Sequence, residues 1–153
     1  MARIRKTDLG QLKLPGIETT KRFVKSNKRR VVFKMPTQQH LEMLTRIAAD
    51  GYGLKGKTRW ISDAISEFVA YEFWMAETHE LSGLAAPEKK QDMVDMDMAI
   101  WKQLRIAAIE YSDYLARQEP PEYEMPNFEP IVTSAILRKL SQQVDTVSGY
   151  TTD

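Results

Sequence analysis

KRRVVFKMPTQQHLEML, residues 28–44, changes character halfway along. From Lys28 to Met35 charged and apolar residues alternate. Val31, Phe33 and Met35 fall on one side of an extended chain; Arg30, Val32 and Lys34 fall on the other. Pro36 ends the extended run and suits the start of a helix. From Thr37 to about Asp50 the apolar residues Leu41, Leu44, Ile47 and Ala48 return at helical spacing. The stretch therefore reads as a strand over 29–35 and then a helix.

A lone strand leaves the backbone donors and acceptors of both edges unpaired. Pairing the same strand of a second chain against it, antiparallel, answers that cost. The inner face, Val31, Phe33 and Met35 from each chain, would cap a core of four helices. The outer face would present Arg30, Val32 and Lys34 twice. A two-stranded ribbon of this kind fits the DNA major groove, where arginine and lysine donate to guanine and Val32 can touch a thymine methyl.

Charge points the same way. The net charge is +1, but residues 1–59 hold 15 Lys/Arg against 4 Asp/Glu, and residues 60–153 hold 7 against 17. Such a split marks the first half as a polyanion-binding side. Residues 1–27, with Arg22 and Lys25 nearest the strand, read as a flexible basic arm adding DNA backbone or minor-groove contacts. GYGLKGK, residues 51–57, is a glycine-punctuated turn, and Thr58 is a good N-cap for a second helix. Trp60, Ile61, Ala64, Ile65, Phe68 and Val69 form its apolar stripe, and Tyr71 to Trp74 extend it towards Glu80.

These residues resemble the ribbon–helix–helix superfamily of the MetJ and Arc repressors. The resemblance runs from Lys28 to about Glu72: the strand RRVVFKM, Pro36, a helix of about a dozen residues, a glycine turn, and a second helix opening TRWISDAISEFV. It implies a mainly α fold with one N-terminal strand, an intermolecular antiparallel ribbon over four helices, and a homodimer that binds double-stranded DNA. Arg30, Val32 and Lys34 would contact bases. Thr58 and Arg59, with Lys55, Lys57 and Lys28, would contact phosphate, consistent with the affinity of helix N-termini for anions. The turn is longer than is usual in that family. The unit would span 28–81, in a cytoplasmic regulator of transcription. Two other roles fit the same residues: an accessory protein of a plasmid-transfer relaxosome, and an antitoxin-type adaptor whose acidic half masks a basic partner.

The second half, 92–153, reads as an acidic helical extension. Met93, Met96, Ile100, Leu104, Ala107, Tyr111 and Tyr114 follow helical spacing, giving one long helix over 92–117. An acidic, proline-rich loop follows over 117–130, then a last helix from Pro130 to about Val144 and a fraying tail. A rival reading makes QDMVDMD a second strand opening a degenerate repeat. RIAA occurs at 46–49 and 105–108, and WISDAISEF shares a rhythm with IVTSAILRK. Asp95 and Asp97 on its outer face, and the helix preference of Met and Ala, favour the extension. If 92–97 did pair with 29–35, the molecule would be a pseudo-dimer in one chain, with opposite charges assisting the pairing.

Catalytic chemistry is not indicated. There is no cysteine, His40 and His79 are far apart, and Asp92, Asp95 and Asp97 lack the glycine and terminal glutamate of a calcium loop. No phosphate-binding glycine loop, nucleophile–base pair or cofactor box stands out. His40 reads as a surface residue or a backbone contact. No apolar run reaches membrane-spanning length. The expectation is a protein that is not an enzyme, takes no cofactor or metal, and works away from membranes.

Overall fold

A computed structural model describes residues 27–152 apart from 54, 85 and 87, with side chains described up to Gln142. The basic arm, with Arg22 and Lys25, lies outside the described residues. The chain is mainly helical, with a two-stranded antiparallel sheet. In order it runs β1 (Lys28–Pro36), α1 (Thr37–Ala49), α2 (Lys57–Val69), α3 (Trp74–Ser82), β2 (Lys89–Asp97), α4 (Met98–Ala116) and α5 (Glu129–Thr152).

The strand at 28–36 forms as the alternation demands, but its partner is in the same chain. β1 pairs antiparallel with β2, with Lys28 opposite Asp97, Val31 opposite Val94, and Pro36 opposite Lys89. The expectation of a ribbon shared between two chains is thereby corrected, because the facing edge of β1 is already satisfied. The long helix expected from residue 92 is corrected too. Residues 89–97 are a strand, and helix begins only at Met98. Methionine recurrence at 93 and 96 suggested a helical stripe, yet Val94 and Met96 are buried while Met93 faces out. The available edge of β1 overrides a weak local preference for helix. Opposite charges across the pair, Lys28 with Asp97 and Arg30 with Asp95, assist it.

The chain thus runs strand, helix, helix twice, with the short α3 standing between the two runs. The strands begin at Lys28 and Lys89, and the helices after them at Thr37 and Met98, so both steps are the same length. In that register Met43 matches Leu104 and Ile47 matches Ala108, and all four are buried. The RIAA motifs do not share this register. The correspondence between WISDAISEF and IVTSAILRK holds instead. Trp60, Ile61, Ala64 and Ile65 of α2 and Ile131, Val132, Ala135 and Ile136 of α5 are all 0–2% exposed. These two helices pack on each other beneath the ribbon, where Phe33, Met35 and Met96 close the core. Helices α1, α2, α4 and α5 of the one chain all contribute buried residues to this core.

Local details differ in instructive ways. The buried face of α1 is His40, Met43 and Ile47, while Leu41 and Leu44 are exposed, so the expected stripe lies beside the actual one. The turn before α2 needs its glycines. Gly51 sits at φ 82, in the left-handed region, and a Cβ on Gly56 would lie 2.3 Å from the Tyr52 backbone oxygen. α2 stops at Val69, and the chain turns through 70–73 before α3 resumes, so helix is not continuous to Glu80. α5 starts next to Pro130, as expected, but runs on to Thr152. Among the described residues no helix is long and apolar enough to cross a membrane.

Candidate nucleic-acid interface

Pleating puts five residues of each strand on the outer face of the ribbon. The central ones pair as Arg30 with Asp95, Val32 with Met93, and Lys34 with Gln91. All six are exposed; Val32 and Met93 are 44% and 43% exposed although apolar. One face of the ribbon is therefore buried and the other is a wet, mixed surface on a rigid support.

The three base-reading candidates meet different surroundings. The Arg30 guanidinium lies against Asp95, Nε to Oδ1 at 3.0 Å and Nη2 to Oδ2 at 3.4 Å. That contact holds the Asp95 carboxyl below its usual range and raises the Arg30 value. Lys34 has no acid against its ammonium among the described residues, and its carbonyl accepts a 2.7 Å bond from the Thr133 hydroxyl. Lys28, a phosphate candidate, pairs with Asp97 at 3.4 Å.

The second-helix candidates divide as well. Gly56, not Thr58, is the N-cap of α2, without a side-chain cap. Lys57 is turned inward: its ammonium donates to Asp92 Oδ1 at 2.8 Å. Expected at a phosphate, the ammonium is instead held by Asp92 in the free protein. Asp92 is half-buried on the inner face of the ribbon, and its other oxygen lies 2.9 Å from His40 Nε2. Burial pushes the Asp92 carboxyl up, but hydrogen bonds from Lys57, His40 and the Met93 N–H outweigh it and hold the value low. His40, expected on the surface, is 7% exposed and ties α1 to the ribbon through this carboxylate. Lys55 is exposed in the turn, and Arg59 is exposed with its guanidinium 5.9 Å from the Tyr52 ring centre. The N–H groups of the first turn of α2 have no intrahelical partner, as at any helix start.

The matching helix start on α5 is unlike it. Glu129 stands in its first turn, Pro130 has no N–H, and the Glu129 N–H donates to Asn127 Oδ1 at 3.1 Å. No family model matches the chain, and no curated protein or solved structure does. The surface has to be read from its own chemistry. Gln91 and Met93 were missed as part of the outer face, and Asp95 was placed there only in the rival second-strand reading; the alternation in KKQDMVDMD was the available signal.

Proposed function

We propose that the protein binds double-stranded DNA as a single chain of the ribbon–helix–helix type, placing the outer face of its intrachain ribbon in the major groove. The observation that carries this reading is the ribbon itself: two strands, one face buried, and Arg30, Val32, Lys34, Gln91, Met93 and Asp95 exposed on the other. A two-stranded ribbon is the width the major groove admits. Each of these side chains has a base-edge counterpart: guanine for Arg30 and Lys34, adenine for Gln91, the N4 amino group of cytosine for Asp95, and thymine methyl for Val32 and Met93. Lys55, Arg59 and the free N–H groups of α2 supply phosphate contacts on one side.

A homodimer is not needed to build the ribbon, so the site recognised is asymmetric. The two strands carry different outer residues, and α5 presents Glu129 where α2 presents cations. Selection of bound fragments from random duplexes by the full chain tests the reading. A non-palindromic consensus supports it; no enrichment over input at low salt rejects it. Regulation of transcription and marking of a transfer origin are both served by such binding. An adaptor role has one observation in its favour: Asp95 and Asp97 offset part of the cationic ribbon face. Binding to a basic protein with no shift of any duplex would select that reading.

A further inference from the structure

A cavity of about 840 Å³ opens between the end of β1, the start of α1, the end of α3, the end of α4 and the start of α5. That volume is within the range of small-molecule sites, roughly 300–1,000 Å³. Met35, Tyr111, Leu115 and Leu137 give it apolar walls. Around them stand the carboxylates of Glu88, Glu122, Glu124 and Glu129, against Lys34, Lys89 and the His79 ring. His79 is taken up by Glu122, at 2.6 Å from Nε2 to Oε1. Glu88, Glu124 and Glu129 have no cation against their side chains among the described residues, and Lys34 and Lys89 have no acid against theirs, so the lining carries a small net excess of negative charge.

An acidic rim alone would be an ordinary solvated surface. Ser134 is the independent feature. It lines the cavity, is 2% exposed, and its hydroxyl has no hydrogen-bond partner among the described residues. A buried hydroxyl without a partner costs stability unless something in the space beside it supplies one. Tyr111, which also lines the cavity, is pushed up to about 12 mainly by burial, so it stays neutral and adds no charge.

We infer that this cavity is a binding site for a small organic cation, an amine carrying an apolar body. The body lies against Met35, Tyr111 and Leu137, the ammonium faces Glu124 and Glu129, and Ser134 Oγ accepts one of its N–H groups. An anion of the same shape is repelled by the carboxylates. The site does not depend on the DNA-binding reading and is tested without DNA.

The full chain is titrated with phenethylamine, 3-phenylpropionate and phenylalanine, following backbone amide shifts by NMR. Saturable shifts at cavity residues with phenethylamine, and at least tenfold weaker binding of the other two, are expected. Glu124→Gln/Glu129→Gln and Ser134→Ala should each weaken phenethylamine at least fivefold, with Glu110→Gln, on exposed α4 surface outside the cavity, unchanged. Amide spectra without ligand show whether each variant keeps its fold. Absence of saturable shifts with the amine, or equal binding of 3-phenylpropionate, overturns the assignment, as does an Glu124→Gln/Glu129→Gln variant that is folded and binds as before.

Discussion

Arg30 and Asp95 stand directly opposite each other on the outer face of the ribbon, joined by two hydrogen bonds between guanidinium and carboxylate. They come from strands far apart in sequence, and each offsets the other's charge on this surface. Both are exposed, so the pair adds little to folding stability. Its effect is expected on DNA. Asp95→Asn should tighten binding to arbitrary duplexes, because one repelled charge is gone. It should also narrow the ratio of specific to non-specific affinity, because Arg30 loses its fixed orientation. Competition binding at two salt concentrations measures both. Unchanged selectivity would remove Asp95 from the reading face.

Lys34 and Arg59 should separate into different roles. Lys34 lies on the ribbon face with no acid against it among the described residues; Arg59 lies at the start of α2. Lys34→Ala is expected to cost about 1–3 kcal/mol of discrimination at one base position. Arg59→Ala should weaken all duplexes alike and reduce the salt slope by about one. Salt titrations on a selected site and on a scrambled one compare them; identical selectivity losses would void the division.

Asp92 gathers His40, Lys57 and the Met93 N–H around one half-buried carboxylate, joining the ribbon to α1 and α2. Asp92→Asn is expected to cost about 2–3 kcal/mol at neutral pH, through lost charged hydrogen bonds. The folded-state value is depressed, so this contribution is present above the unfolded aspartate value of about 3.9. It is lost as pH falls through the lower folded value. Urea melts of wild type and variant should therefore converge as the pH is lowered through and below that window. A constant gap between the two curves at every pH would show that the carboxylate is not the source.

The first half of this architecture was legible because its signals agree. Alternation, Pro36, the glycine turn and the Trp60 to Phe68 stripe each point to the element that forms. The second half was not, because β2 is a strand by virtue of its neighbour. Lys89 to Asp97 contains three aspartates and two methionines, and only pairing with β1 makes its alternation decisive. The same reason hid Lys57: nothing near it in sequence announces Asp92, which arrives from the far strand. His40 looked like a surface residue for want of that same carboxylate. Outer-face positions on β1 could be read from pleating alone, whereas half of the candidate surface belongs to β2 and came into view only with the register.

The rotation of α1 can be checked by stability. Leu44 looks like a core residue on spacing, yet it is 43% exposed, while Met43 is 0% exposed. Met43→Ala is expected to cost about 2–5 kcal/mol, the range for a buried large-to-small change. Leu44→Ala should stay within about 0.5 kcal/mol, as surface substitutions do. Chemical denaturation of the two variants decides it, and a larger loss at Leu44 would turn the helix back to the expected face.

The proposed reading carries an expected stoichiometry on DNA, set by the register of the ribbon. Val31 faces Val94 and Phe33 faces Asp92 within one chain, so the two-stranded ribbon is complete without a second copy. Sedimentation of the protein alone should give the mass of one chain, and the complex with a single selected site should contain one chain per duplex. Val94→Asp, which puts a charge at a position 3% exposed in the ribbon's inner face, should abolish binding by unfolding the ribbon. Adding wild-type chain in excess should not restore that variant to the complex, because the partner strand is covalently its own. If the protein sedimented as a dimer, and mixed dimers with wild type brought the variant onto DNA, the ribbon would be shared between chains and the single-chain reading would fail.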